Sequence, residues 1–231
     1  MIAGYARGDS QGDWRRDGWC LLEAVLGPAE VEALRGEAER LCADADAFAE
    51  RGVVPVSPRR RDRLDPVIDL SPPFRALAHD ERLLVVAREV LGGEPQLFKD
   101  KFIAKPPGTV GYSAHQDGAY WQDFDLSPAD FLTTVFFLDD SGAENGAIEC
   151  ASGLHSALLT DPGVIADVDE SLLSAPFTMI EARAGDLLLI HSLTPHRSGP
   201  NRSGGMRRTL LFTYAVDSRP RPVCSLHQLS A

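Results

Sequence analysis

The chain has 231 residues, of which 44% are hydrophobic and 25% charged, and this balance is typical of a globular protein rather than a disordered or fibrous one. Its 23 Lys and Arg residues against 34 Asp and Glu residues give a formal net charge of −11. That charge disfavours nucleic-acid and anionic-membrane partners, because binding to phosphates needs an excess of cations. The length suits one domain, which we predict to span residues 1–231.

Cysteine usage and the lack of long apolar stretches predict where the protein works. The cysteines are scattered and form no Cys-x-x-Cys pair; they are Cys20, Cys42, Cys150 and Cys224. The N-terminus does not resemble a secretory signal, and no apolar stretch approaches the ~20 residues that a membrane helix needs. We therefore expect a reduced, cytoplasmic protein with no membrane association and no evident obligate protein partner.

Two amphipathic helices are predicted in residues 1–94, which we expect to form a mainly helical outer layer. Gly27 and Pro28 precede apolar residues at spacings of three and four, and proline is favoured in the first turn of a helix. A second apolar series of the same kind starts at Leu83 and ends at Gly92 and Gly93, where a left-handed cap is easily formed.

Between these helices, residues 53–66 combine prolines with a dense group of basic residues, which are Arg59, Arg60, Arg61 and Arg63. This composition breaks both helical and strand periodicity and predicts a loop. Such a basic loop is usually a solvated surface, and we favour that interpretation. If it instead folds over a binding pocket, it favours an anionic substrate.

After residue 94 the sequence changes to short apolar runs separated by turn residues. The predicted strands are 96–105, 131–138, 147–150, 177–182, 186–191 and 209–216. Helices followed by many short strands favour a mainly β fold with flanking helices, a sandwich or jelly roll. We predict a jelly-roll core over 95–217 and a tail over 218–231.

His115 and Asp117 are the first candidates for chemistry. On extended backbone, residues two apart project to the same face, so this imidazole and carboxylate can meet one metal ion. A second histidine-bearing segment follows at 185–212, and two imidazoles with one carboxylate form the facial triad of non-haem iron oxygenases. Sequence spacing alone leaves His191 and His196 both open as the third ligand.

The order of motifs makes the pattern more specific. His115-Gln116-Asp117 is followed by AENGAIECASGLH and then by GDLLLIHSLTPHRSGPN, with arginine after it; KPPG at 105–108 belongs to the same pattern. Over roughly 96–216 this resembles the phytanoyl-CoA dioxygenase family of Fe(II)- and 2-oxoglutarate-dependent oxygenases. The resemblance implies a double-stranded β-helix, the cupin-like jelly roll, and an enzyme that uses 2-oxoglutarate and O2 on a small molecule.

The resemblance also implies roles for individual residues. His115, Asp117 and His196 would bind Fe(II), and Arg207 and Ser198 would hold the distal carboxylate of 2-oxoglutarate. Further co-substrate contacts are implied at three positions, which are Lys101, Gln116 and Phe136. Since the family's halogenases carry a small residue in place of the carboxylate, Asp117 favours hydroxylation or desaturation. The family's usual Pro-Gly-Ser-His turn is replaced here by ASGLH at 151–155, which affects the prediction of the substrate rather than of the metal site.

Two pairs of adjacent residues have competing interpretations. Arg207 and Arg208 are adjacent and point to opposite faces of a strand, so a register error of one residue would exchange their roles. We prefer Arg207 on the family spacing. Tyr120 and Trp121 follow the metal motif, and they either pack in the core or wall the substrate pocket.

Two other functions remain open at this point. One is a non-redox metal enzyme, such as a zinc hydrolase or isomerase, although such an enzyme has no need of a dicarboxylate clamp at Arg207 and Ser198. The other is a binding module that keeps the fold without catalysis. A nucleic-acid demethylase is disfavoured by the net charge of −11.

Overall fold

A computed structural model describes residues 11–44, 63–124, 127–159 and 173–216 of the chain. Several sequence-based predictions lie outside these residues. They are the basic residues Arg59, Arg60 and Arg61, the thiol of Cys224 and the predicted tail 218–231.

The N-terminal part contributes both helices and strands. In chain order the elements are α1 (Trp14–Asp17), β1 (Trp19–Leu22), α2 (Pro28–Ala43), β2 (Arg63–Leu64), α3 (Pro72–Ala78) and α4 (Glu81–Leu91). Helices α2 and α4 confirm the two predicted helices, and α4 is capped by Gly92 at φ 72°. Strands β1 and β2 were not predicted, because each is too short to show a period-two pattern.

The remaining elements are strands and two short 3-10 helices. The strands are β3 (Gln96–Lys105), β4 (Tyr112–His115), β5 (Phe131–Phe137), β6 (Ile148–Ala151), β7 (Phe177–Met179), β8 (Leu187–His191), β9 (His196–Ser198) and β10 (Arg207–Ala215). The 3-10 helices span Asp117–Phe124 and Ala143–Asn145. Each of the six predicted strands is present, whereas β4 and β9 were missed.

The strands form two antiparallel sheets. A six-stranded sheet has the order β1-β8-β5-β10-β3-β2, and a four-stranded sheet has the order β4-β9-β6-β7. Strands distant in sequence are neighbours in both sheets, as in a jelly roll, so the predicted fold class is confirmed. Strands β1 and β2 lie at the two edges of the larger sheet, so residues 1–94 supply part of the sheet as well as the helices.

Alternation along β5 and β10 divides the core into two sides. Phe136 and Phe212 pack in the cluster that contains Phe74 and other residues of the helices, and all three are fully buried. Val135 and Leu211, one residue away on the same strands, pack instead with residues of the smaller sheet. The face of the larger sheet that carries residues 135 and 211 therefore looks into the space between the sheets, where the candidate site lies.

None of the helices in the described part of the chain has the length and apolar character needed to cross a membrane.

Candidate metal centre and co-substrate pocket

Three predicted metal ligands meet between the two sheets. His115 ends β4, Asp117 begins the following 3-10 helix, and His196 begins β9, which pairs with β4 in a register that places His115 opposite His196. One potential ligand atom from each residue lies within 4.8 Å of the others. The two imidazole rings are 4.2 Å apart between centroids, and His115 Nε2 is 3.7 Å from Asp117 Oδ1. A single cation can contact all three.

Backbone carbonyls fix which imidazole nitrogen is available. His115 Nδ1 lies 2.8 Å from the carbonyl oxygen of Ser113, and His196 Nδ1 lies 3.0 Å from that of Thr194. A carbonyl only accepts hydrogen bonds, so each Nδ1 carries the proton and donates it. Both Nε2 atoms keep a lone pair for a metal, which is the arrangement that metal-binding histidines adopt.

A threonine on β5 fixes the carboxylate in the same way. Thr133 Oγ1 donates to Asp117 Oδ2 at 2.9 Å, and Thr213 of β10 is 3.2 Å from the same hydroxyl. Since Thr133 has one hydroxyl proton and gives it to Asp117, Thr213 is the donor in the second bond. These two hydrogen bonds hold Oδ2 of Asp117, and Oδ1 faces the histidines.

The surroundings also set the protonation of the ligands. Burial, and after it the charge of neighbouring His196, lower the pKa of His115 to about 3. Burial alone would raise the pKa of Asp117, but the positive charges of Lys101, His196 and His115 outweigh that effect and lower it. At neutral pH the pocket therefore presents a neutral His115 and an ionised Asp117, as metal coordination requires.

The donor set fits ferrous iron. Two neutral imidazoles and one carboxylate on one side of a cation are the ligands of the 2-His-1-carboxylate iron oxygenases, and they leave coordination positions open for other molecules. The residues present thus agree with the predicted Fe(II) site, and they lack the thiolates of a structural zinc site.

A second polar cluster is formed by residues of β9 and β10. Arg207 is 2% exposed and donates to the carbonyl oxygen of Gly146 at 2.9 Å and to Thr209 Oγ1 at 3.2 Å. Ser198 is two residues beyond His196 on β9, which separates their Cα atoms by roughly 7 Å on extended backbone. The structure therefore places both predicted contacts for a dicarboxylate in the space between the sheets.

Lys105 completes this cluster, although the sequence patterns did not single it out. Its side chain is fully buried, and its Nζ donates to Ser198 Oγ at 2.8 Å and to the carbonyl oxygen of Gly199 at 2.7 Å. Register pairs Lys105 directly with Arg207 across β3 and β10. Two buried cations side by side attract an anionic group, so this part of the site suits a carboxylate. The signal in the sequence was the KPPG motif at 105–108, which begins with this lysine and belongs to the family pattern.

Arg208 has a different environment from its neighbour. It points to the helix side of the sheet, where its guanidinium donates to Asp139 at 2.8 Å and to Glu39 of α2 at 3.0 Å. The register thus gives the pocket position to Arg207, in line with the preference stated from the sequence.

Two predicted co-substrate contacts are not supported. Phe136 lies on the helix side of β5, with its ring in the core cluster away from the metal ligands. The Gln116 amide nitrogen donates to the carbonyl oxygens of Ala157 and Leu193, and its oxygen accepts from the Leu159 amide at 2.7 Å. Both amide hydrogens are therefore used inside the protein. Gln116 holds loops in place rather than facing a ligand, because it lies between two residues that point into the site.

Lys101 occupies the metal end of the pocket instead of the dicarboxylate end. It lies four residues before Lys105 on β3, and its charge acts on Asp117 and His115. Burial lowers the pKa of Lys101 to about 8, partly opposed by the attraction of Asp117. Its predicted contact with the co-substrate remains a prediction.

The two aromatic residues after the motif differ in their surroundings. Trp121 is 6% exposed and packs against Phe98 and Phe131, at 5.5 and 4.7 Å between ring centroids. This placement supports the core interpretation and argues against a pocket wall. Tyr120 is 44% exposed, and its ring meets the edge of His115 at 6.0 Å, so it remains the predicted substrate contact.

His191, the alternative third ligand, lies apart from the cluster. Its Nδ1 accepts the Leu193 amide at 3.0 Å, and its ring packs against Trp14 and His155. Burial lowers its pKa to about 4, with a further contribution from His155. These contacts indicate a structural histidine.

Comparison with known proteins decides the family. The sequence profile described as phytanoyl-CoA dioxygenase matches residues 14–209. The chain belongs to the phytanoyl-CoA dioxygenase family. The resemblance carried by the motifs is thus confirmed, and with it the enzyme class: a non-haem iron oxygenase that depends on 2-oxoglutarate.

Curated relatives include two enzymes that act on phosphorus compounds. The probable alpha-ketoglutarate-dependent hypophosphite dioxygenase of Stutzerimonas stutzeri is 31% identical over 152 residues, which are 61% of this chain and 52% of that protein. The methylphosphonate hydroxylase of Gimesia maris is 28% identical over 211 residues, which are 89% of this chain and 80% of that one. The chain thus spans about half the length of the first relative and four fifths of the second.

A solved structure shares the fold. EctD from S. alaskensis, crystallised with 2-oxoglutarate and 5-hydroxyectoine, superposes with a TM-score of 0.77 at 24% identity. The match covers 87% of this chain and 73% of EctD.

Proposed function

We propose that His115, Asp117 and His196 bind Fe(II) and that the enzyme hydroxylates a small molecule with 2-oxoglutarate as co-substrate. The observation that carries this proposal is the placement of the three ligand atoms within 4.8 Å of one another, in a fold that also buries Lys105 and Arg207 side by side, with Lys105 bonded to Ser198 two residues beyond His196. A non-redox metal enzyme has no use for the second feature.

The dicarboxylate end of the pocket explains co-substrate selection. We assign the distal carboxylate of 2-oxoglutarate to Arg207, Ser198 and Lys105. The planar guanidinium can donate two parallel hydrogen bonds and thereby fix the direction of the bound acid, and the lysine and serine add charge and a hydroxyl. A monocarboxylic 2-oxo acid would make no contact with these three side chains, which disfavours its binding relative to 2-oxoglutarate.

The overall reaction follows from these assignments. Iron supplies the activation of O2 when it is bound. One oxygen atom enters a C–H bond of the substrate as a hydroxyl group, and the other enters succinate as 2-oxoglutarate loses CO2. The residues contribute binding and orientation: Thr133 holds Asp117, the carbonyls of Ser113 and Thr194 hold the imidazoles, and Tyr120 borders the entrance beside His115.

We infer further that the substrate is a free small molecule and that the enzyme works in the cytoplasm without a nucleic-acid, membrane or obligate protein partner. The net charge of −11 supports the exclusion of nucleic-acid partners. The reducing location is supported by Cys20, Cys42 and Cys150, which are free thiols.

The proposal is tested by succinate formation. Purified full-length protein should release succinate only when Fe(II), 2-oxoglutarate and O2 are all supplied, and His115→Ala or Asp117→Ala should abolish this release. His79→Gln is the matched control, because His79 is an exposed histidine at the end of α3. Turnover that persists in Asp117→Ala, or hydrolysis supported by Zn(II) without O2, would contradict the proposal.

A further inference from the structure

A group of cations lies at the edge of the larger sheet, in register with the threonines that hold Asp117: Thr213 is opposite Lys99 on one side and Thr133 on the other. Lys99 and Lys101 of β3 project to the same face of the strand, because they are two residues apart. Arg63 of β2 pairs with Ile103 in the register and so projects to that face as well. The charges of Arg63 and Lys99 both act on Lys101. We call Arg63, Lys99 and Lys101 the cationic edge.

One carboxylate compensates two of these cations. Asp65, which is 6% exposed, accepts a hydrogen bond from the Arg63 guanidinium, and its Oδ2 lies 3.0 Å from Lys99 Nζ. The three cations and this one carboxylate leave a positive surplus at the edge. Asp65 also ties β2 to β3, so the positions of Arg63 and Lys99 are fixed relative to the pocket.

Lys101 forms neither a hydrogen bond nor an ion pair with any residue of the described ranges. Its side chain is half-buried, on the strand face that looks into the space between the sheets. Its strongest attraction is to Asp117. When a divalent metal is bound, it would compensate the negative charge of Asp117. The ammonium group of Lys101 would then need another anion.

The distal carboxylate of 2-oxoglutarate does not meet this need. It is assigned to Arg207, Ser198 and Lys105, and four residues of extended strand place Lys101 about 13 Å from Lys105 between Cα atoms. The carboxylate next to the keto group would be bound by the metal if the keto acid chelates it. The second molecule in the pocket, the substrate, is therefore the source of the anion.

We propose that Lys101, supported by Arg63 and Lys99, binds an oxyanion group of the substrate, so that this enzyme acts on a small phosphonate or carboxylate. The inference rests on the proposed function, because it takes 2-oxoglutarate to be the other occupant. A positive recess in a protein of net charge −11 also concentrates anions locally at the pocket. Two relatives are named for hypophosphite and methylphosphonate, and both compounds are small oxyanions.

The test is binding of methylphosphonate to the full-length protein, measured by isothermal titration calorimetry with Co(II) and 2-oxoglutarate present. We expect saturable binding, with an affinity reduced about tenfold to hundredfold in Lys101→Met and little changed in Arg75→Met. Arg75→Met is the matched control, because this substitution also removes one positive charge but does so in the helix layer, where Arg75 pairs with Asp69. The neutral dimethyl ester of methylphosphonate should not bind.

A second arm separates the two oxyanions. Acetate is titrated under the same conditions, and Lys101-dependent binding of acetate in place of methylphosphonate would assign the site to carboxylates. Wild-type protein that binds neither anion, or binding that is equal in Lys101→Met, overturns the inference. So does a loss of 2-oxoglutarate affinity in Lys101→Met with unchanged methylphosphonate affinity, since that result assigns Lys101 to the co-substrate.

Failure of the proposed function and failure of the Lys101 anion site give different experimental results. If no succinate forms under any condition but anion binding still requires Lys101, the proposed function is wrong and the subsite stands. If succinate forms slowly from 2-oxoglutarate and no anion binds, the function stands and the subsite is wrong.

Discussion

Each metal ligand is held by a second contact that determines which of its atoms faces the metal. The carbonyls of Ser113 and Thr194 engage Nδ1 of the two histidines, and Thr133 engages Oδ2 of Asp117. The spacing of His115 and Asp117 could be read from the sequence because extended backbone repeats every two residues. Thr133 could not, because its contact with Asp117 depends on how β5 is placed against the 3-10 helix.

Thr133 provides the first prediction. Thr133→Val keeps the shape but removes the donor, so Asp117 becomes free to rotate and loses a hydrogen bond that stabilises its charge. We expect Co(II) affinity to fall about tenfold to hundredfold, with near-complete recovery in Thr133→Ser. The measurement is calorimetric titration of metal into metal-free protein. Equal affinities in wild type and Thr133→Val would show that the hydroxyl does not position the carboxylate.

Arg207 provides the second prediction. Arg207→Lys keeps the charge but loses the planar pair of donors, so the KM for 2-oxoglutarate should rise about tenfold or more. The matched change Arg208→Lys alters a residue that pairs with Asp139 on the other side of the sheet and should leave this KM unchanged. Steady-state kinetics with varied 2-oxoglutarate checks both. The reverse outcome would mean that the register of β10 is displaced by one residue.

At the scale of elements, sequence patterns found the long strands and helices and missed the short ones. Strand β3 spans Gln96–Lys105 as predicted, because ten residues of alternating burial give a clear pattern. Strand β9 has three residues, and a run of that length has no detectable period. Its position is set by pairing with β4 and β6, which is tertiary information.

The Gln116 side chain links two loops, the segment of Ala157 and Leu159 and the turn at Leu193, and this leads to a third prediction. Gln116→Leu removes the acceptor of the Leu159 amide and the donors to Ala157 and Leu193. Hydrogen exchange at the Leu159 amide should accelerate about tenfold, corresponding to the loss of one hydrogen bond. Gln116→Glu retains the acceptor and serves as the control. Unchanged exchange in Gln116→Leu would mean that the loop is held by other contacts.

At the scale of the molecule, the N-terminal residues are part of the jelly roll rather than a layer laid over it. Strand β1 covers the edge of β8 in register from Trp19 opposite Ile190 to Leu22 opposite Leu187. The sequence suggested a mainly helical region up to residue 94 and gave no sign of this strand, since four consecutive apolar residues fit a helix as well. The covered strand β8 is fully apolar except at His191.

A truncation tests this organisation. Removing residues 1–22 exposes the edge of β8, and an apolar edge strand pairs readily with other chains. We expect aggregation, measured by size-exclusion chromatography with light scattering, while a variant lacking only 218–231 stays monodisperse. A monodisperse protein of unchanged melting temperature after loss of residues 1–22 would contradict the assigned role of β1.

The central claim is one ferrous ion bound by three residues with 2-oxoglutarate beside it. Anomalous diffraction at the iron edge, from crystals grown without oxygen in Fe(II) and 2-oxoglutarate, tests it most directly. The account predicts one iron peak within bonding distance of Nε2 of His115, Nε2 of His196 and Oδ1 of Asp117, with the distal carboxylate on Arg207. An iron peak bonded to His191, or a co-substrate turned away from Arg207, would contradict it.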